Sequence, residues 1–93
     1  MPPIIGDFDG FDWLDWVVDK IIEKHGVNPD EVEECFERVP WKVRRVGNGK
    51  YQLLGQANGG RYLFVIFTWR GRFIRVITAR DMDDRARAIY RRK

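Results

Sequence analysis

Between residues 60 and 80 the chain reads GRYLFVIFTWRGRFIRVITAR, two runs rich in aromatic and β-branched residues on either side of Arg70-Gly71. That composition, broken by a glycine, predicts two antiparallel strands, Arg61–Trp69 and Arg72–Ala79, joined by a tight turn. Arg61, Arg75 and Arg80 stand among the apolar residues. A hairpin built only to fill a core has no use for them, whereas guanidinium groups held on a sheet suit an anionic ligand.

With the loop placed at Arg70-Gly71, Trp69 pairs with Arg72, Ile66 faces Arg75, Leu63 faces Thr78 and Arg61 faces Arg80. Side chains alternate between faces along a strand. Arg61 and Arg80 are therefore expected side by side on one face, with Arg75 on the other beside Phe73 and Ile77. Like charges placed opposite one another repel unless an anion or a carboxylate lies between them. A phosphate cradle is one solution; pairing of Arg80 with Asp83 or Asp84 is the alternative.

The rest of the chain supplies helices and a second hairpin. A first helix is expected to start at Asp12, with Asp15 completing a capping box, and to end at Lys24-His25-Gly26. Leu14, Val17, Val18, Ile21 and His25 share one of its faces. Asn28, Pro29 and Glu31 open a second helix, with Val32, Cys35, Phe36 and Val39 inward. Trp41–Val46 and Lys50–Gln56 form a hairpin about Gly47-Asn48-Gly49. Asp81–Asp84 caps a last helix whose inner side carries Met82, Ala86, Ile89 and Tyr90. The expected fold is α+β and a single domain over residues 1–93: two N-terminal helices, about four antiparallel strands and a C-terminal helix, the helices lying on one face of the sheet.

Charge is divided unevenly. Residues 1–37 hold eleven acids against Lys20 and Lys24, while residues 38–93 hold fifteen Lys/Arg, twelve of them Arg, against Asp81, Asp83 and Asp84. This asymmetry suggests an acidic face and a basic face, the basic one favouring a polyanion; mutual neutralisation of the two halves across a fold interface is the alternative. One cysteine excludes an internal disulfide and, beside one histidine, gives no metal-ligand cluster. No phosphate-binding glycine loop or Ser/His/Asp set is present, and no cofactor is expected. The start of the chain lacks the basic and apolar regions of a signal peptide, and no run is long enough to span a membrane, so a cytoplasmic protein is expected.

A metal-free site of Arg, Lys and Tyr can cleave RNA: the 2′-hydroxyl attacks the adjacent phosphorus, and arginines hold the charge gathered on the equatorial oxygens. Arg61, Arg75 and Arg80 are the candidates for that work. Tyr90 stands nearby, and Lys50 becomes a base if neighbouring cations lower its pKa. His25 has a suitable intrinsic pKa but also fits a helix cap. Arg44, Arg70 and Arg72 are candidate nucleic-acid contacts, with Tyr51, Tyr62 and Trp69 available for stacking. A non-catalytic nucleic-acid-binding module and a protein-docking domain are the alternatives.

KHGVNPDEVEECF (24–36), LGQANGGRYLFVIFTWRGRFIRVITAR (54–80) and DRARAIY (84–90) together resemble the BrnT family of bacterial toxins, small relatives of the RelE-like ribonucleases. The resemblance implies an RNA-cleaving toxin of a type II toxin–antitoxin pair. It would act on mRNA, free or on the ribosome, and be held in a hetero-oligomer by a BrnA-like antitoxin. It carries basic site positions onto Arg61, Arg75 and Arg80, with Tyr90 as a neighbour. The chain departs from the family where an acidic and basic pair usually precedes Gly55: Lys50 can stand for the base, and the acid is missing. An asparagine common before KHG is also missing, with Ile22 and Glu23 there instead.

Overall fold

The computed structural model describes residues 8–38 and 40–92. Eight elements follow in order: β1 (Gly10–Phe11), α1 (Asp15–His25), α2 (Pro29–Glu37), β2 (Lys42–Gly47), β3 (Lys50–Gln56), β4 (Tyr62–Arg70), β5 (Phe73–Asp81) and α3 (Asp84–Arg91). The strands form one sheet in the order β1-β5-β4-β3-β2. The class is α+β as expected, but the sheet has five strands and is mixed, because β1 runs parallel to the start of β5. A two-residue strand is too short to leave a period in the sequence.

The α1 boundary is a correction. The helix starts at Asp15 with Leu14 at the N-cap and no side-chain cap. Asp12 is drawn away, since its N–H donates to the Ile74 carbonyl at 2.8 Å and its carboxylate receives Arg75. The other helix ends hold, whereas Ile89, expected on the inner side of the last helix, is 36 % exposed. Gly26 ends α1 at φ 62, where a side chain would be strained. Pro29 begins α2, and the Glu31 carboxylate accepts the Asn28 N–H at 3.1 Å. Asp83 caps α3 by accepting the Ala86 N–H at 2.8 Å. Val39, expected on the α2 stripe, lies outside the described residues.

Helices α1 and α2 cover one face of the sheet. Val17, Ile21, Val32, Cys35 and Phe36 close against Leu53, Leu63, Val65, Phe67, Ile74 and Val76. Phe36 and Phe67 meet edge to face at 5.1 Å, and Phe11 adds to the same cluster. Burial of each large side chain contributes about 1.5–3 kcal/mol, which makes this layer the main source of stability. α3 lies on the opposite face, contrary to the expectation of helices on one side. Met82 and Ala86 seat it on Leu54, Tyr62 and Phe64, and so it covers only one end of that face.

Gly55 marks the tightest approach between layers. A Cβ there would lie 3.1 Å from Cys35 Cβ, 3.1 Å from Leu53 Cδ2 and 3.2 Å from the Cys35 carbonyl oxygen. Backbone and strand atoms cannot yield as a surface side chain does. Gly55→Ala is expected to cost about 1–3 kcal/mol by overpacking. A thermal melt should fall by roughly 5–20 °C for a domain of this size.

Candidate nucleic-acid interface

The register decides which side chains share the face that α3 leaves open. β4 and β5 pair Arg70 with Phe73, so the loop is Gly71-Arg72 and not Arg70-Gly71. Gly71 takes φ 61 at the first loop position, where a II′ turn wants glycine. The pairing then shifts between Ile66 and Phe67: Phe67 faces Val76, whereas Ile66 faces Thr78. Ile77 is the extra residue of a bulge, and its carbonyl is taken by Lys20 Nζ at 2.9 Å. Arg75 and Arg80, five residues apart, would point to opposite faces of a regular strand. The bulge restores them to the same one.

Three cross-strand rows line the open face: Lys42–Leu54–Phe64–Arg80, Arg44–Gln52–Ile66–Thr78, and Lys50–Thr68–Arg75. The first runs beneath α3. Where it meets the second, a cleft of about 290 Å³ opens, lined by Arg44, Gln52, Phe64, Arg80 and, from α3, Asp83, Arg85, Ala86 and Ile89. The Arg80 guanidinium lies over the Phe64 ring at 4.3 Å. Among the described residues, Arg80, Arg44 and Arg85 have no carboxylate partner. The expected alternative, Arg80 paired to Asp83 or Asp84, does not form; Asp83 spends one oxygen on the α3 cap.

Gln52 forms the floor of this cleft. It is 8 % exposed, and its carboxamide makes no hydrogen bond to any described residue. Sequence reasoning passed over Gln52, Arg85 and Phe64. The available signal was a single carboxamide inside the apolar run Tyr51-Gln52-Leu53-Leu54.

The other candidate residues are dispersed. Arg61 does not face Arg80, which corrects the predicted pair: Phe64 stands opposite Arg80. Arg61 lies at the helix-covered side, bonded to Asp81 at 2.6 and 3.0 Å, to Glu31 at 3.1 Å, and to the Gly26 and His25 carbonyls at 2.8 and 3.2 Å. The hydrogen bond from Arg61, opposed in part by burial, holds the Asp81 carboxyl below its usual range, and His25 adds to it. His25 sits at the end of α1 in this cluster, away from the cleft. Arg75 shares the open face, not a separate one, and is held by Asp12 at 2.6 Å.

Lys50 shares a row with Arg75, two rows from Arg80. That separation is roughly 13 Å along the strands, with two strand spacings in addition. The Tyr90 hydroxyl donates to the Pro40 carbonyl at 2.8 Å, its ring meets Tyr62 at 5.8 Å, and burial raises its pKa. Lys42 Nζ donates to the Ile89 and Arg92 carbonyls. Tyr90 and Lys42 thus fasten α3 to the sheet and so set the roof of the cleft. Arg44 belongs to the cleft, whereas Arg70 and Arg72 lie at the far hairpin, Arg72 with Asp9 at 3.2 Å. Burial pushes the Cys35 thiol up to about 12, which suits a core residue rather than a nucleophile.

Among the described residues, no three or more His, Cys, Asp or Glu side chains are grouped to hold a metal ion, and no helix is long and apolar enough to cross a membrane. The two faces differ in sign. Asp15, Asp19, Glu23 and Asp30 are exposed on α1 and α2, while the opposite face carries the cations just described.

A mixed sheet with acidic helices behind it and a basic cleft in front defines a small α+β protein with one face of a charge that suits a polyanion. The same fold is found in the crystal structure of the Brucella abortus ribonuclease toxin, BrnT, at 24 % identity and a TM-score of 0.67, over 81 % of this chain and 97 % of that one. The chain belongs to the BrnT family of ribonuclease toxins of type II toxin–antitoxin systems, whose profile matches residues 16–86. No curated protein matches it.

Proposed function

We propose that this protein is an endoribonuclease that cleaves RNA without a metal ion and halts translation by destroying mRNA. The observation that carries the reading is the Arg80 guanidinium, seated on Phe64 with no carboxylate partner and sharing a cleft with Arg44 and Arg85. In this cleft the 2′-oxygen attacks the adjacent phosphorus, the P–O5′ bond breaks, and the departing 5′-oxygen takes a proton from water. Arg80 and Arg44 hold the charge that gathers on the equatorial oxygens, a role that favours forked, permanently charged donors. Asp83 is the acid lining the cleft, and its second oxygen makes no hydrogen bond. It takes the 2′ proton, directly or through one water, in place of the acid missing from β3. Lys50 and Arg75 lie further along the same face and contact flanking phosphates. Arg61, His25 and Tyr90 hold the framework.

The family context implies an RNA substrate and a protein antitoxin. We assign that antitoxin to the BrnA kind, binding in a hetero-oligomer within the cytoplasm. The test is digestion of a synthetic RNA by purified protein in excess EDTA. Cleavage is expected to persist and to leave 2′,3′-cyclic phosphate and 5′-hydroxyl ends. Intact RNA, or 5′-phosphate ends that appear only with magnesium, would falsify the mechanism.

A further inference from the structure

We propose that Gln52 reads the nucleobase that enters the cleft, and that the base it selects is adenine. The assignment rests on the RNA-binding reading above for the nature of the ligand, and it adds which part of the RNA is recognised. The starting point is a polar side chain that the fold leaves unanswered. Gln52 is 8 % exposed, lines the cleft, and has no hydrogen-bond partner among the described residues. Its row neighbours are Arg44 and Ile66: Ile66 has no polar side-chain atom, and Arg44 makes no hydrogen bond to its amide.

A leucine or valine would fill this strand position equally well if packing were the only requirement. The carboxamide instead presents one acceptor and one donor side by side. Every base of a single strand offers a donor beside an acceptor; adenine's N6–H and N7 is the pair with which glutamine most regularly makes a two-bond contact. The other side chains suit the remaining parts of a nucleotide. Arg44 and Arg85 can donate to phosphate but cannot accept from an exocyclic amine. The outer face of the Arg80 guanidinium, backed by Phe64, is a flat surface on which a base can stack. Ile89, from α3, supplies an apolar wall opposite. At about 290 Å³ the cleft stands at the lower end of ligand-site volumes, which suits one nucleoside rather than a duplex.

The experiment uses 2′-O-methyl pentamers of sequence UUXUU, with X as each of the four bases, titrated against the whole protein by fluorescence anisotropy. These oligomers cannot undergo 2′-hydroxyl attack, so binding is read apart from cleavage. The wild-type protein is expected to bind X = A roughly tenfold more tightly than X = U, the scale of one two-bond base contact. Gln52→Leu and Gln52→Met should each bring that ratio to within about twofold. Equal affinity of the wild-type protein for all four oligomers, preference for a base other than adenine, or an adenine preference retained in a folded Gln52 variant overturns the assignment. Cleavage of a natural RNA is measured beside it. RNA cut without base preference rejects only the role of Gln52, whereas adenine preference without cutting rejects only the nuclease reading.

Discussion

Arg80→Ala is expected to reduce RNA cleavage by about 10²–10³-fold, the scale seen when one preorganised donor to transition-state charge is removed. The fold should survive, because Arg80 holds no carboxylate among the described residues and its guanidinium rests on the Phe64 ring at 4.3 Å. Loss of such a contact costs about 0.5–1 kcal/mol, or a melting shift within roughly 8 °C. Arg80→Lys is the more discriminating variant. It keeps a positive charge but loses the planar fork that reaches two phosphate oxygens at once. It should therefore bind RNA nearly as well as wild type while cleaving much more slowly. In cells, growth arrest on expression without an antitoxin should disappear with Arg80→Ala. If the alanine variant cuts RNA at the wild-type rate, the cleft is not where the phosphorus is attacked.

The elements of this fold were legible wherever a local signal settled a local conformation. Asn28, Pro29 and Glu31 write the start of α2, and Gly26 the end of α1, because caps depend on neighbours in sequence. The Asn48-Gly49 turn was equally plain, with φ 48 and 74 at its two positions. β1 left no trace, since two residues cannot show alternation and their strand partner lies some sixty residues further on. The α1 start was misplaced for a related reason. Asp12 has the chemistry of a cap, and a distant arginine, Arg75, outbids the helix for it.

The grouping of the arginines in the structure differs from the one that regular alternation predicts. Strand alternation is a parity rule, and one extra residue reverses it. The loop moved by one residue, and the bulge at Ile77 changed the parity again beyond it. Together they turned Arg61 away from Arg80 and brought Arg75 to the face that carries Arg80. Nothing in Arg75-Val76-Ile77-Thr78-Ala79-Arg80 marks a bulge, because each residue fits a regular strand. The partition of charge survived this error in part: Asp15, Asp19, Glu23 and Asp30 stand exposed behind the sheet, while Asp9, Asp12 and Glu31 pair with Arg72, Arg75 and Arg61. It depends on which elements lie on which face, not on register at single positions.

Arg61→Ala is expected to damage stability rather than chemistry. Arg61 joins three segments: the turn after α1 through the His25 and Gly26 carbonyls, the first turn of α2 through Glu31, and the end of β5 through Asp81. Alanine leaves the Asp81 carboxylate and two carbonyls without the Arg61 donor, and Glu31 with the Asn28 N–H alone. The side chain is 29 % exposed, so water screens part of the loss, and about 2 kcal/mol is the expected cost. For a domain of this size the melting temperature should fall by roughly 8–16 °C. The pH dependence gives an independent check. Asp81 has its folded pKa depressed below the ordinary 3.8, chiefly by the hydrogen bond from Arg61. Its contribution is therefore complete above about pH 4 and is lost as pH falls through the lower folded value. Arg61 itself is raised from an already high value, so its own titration does not enter. Wild-type and Arg61→Ala melting temperatures should stand well apart at pH 7 and approach one another below pH 4. A variant that melts with the wild type at pH 7 yet has lost RNA cleavage would return Arg61 to the chemistry and remove it from the framework.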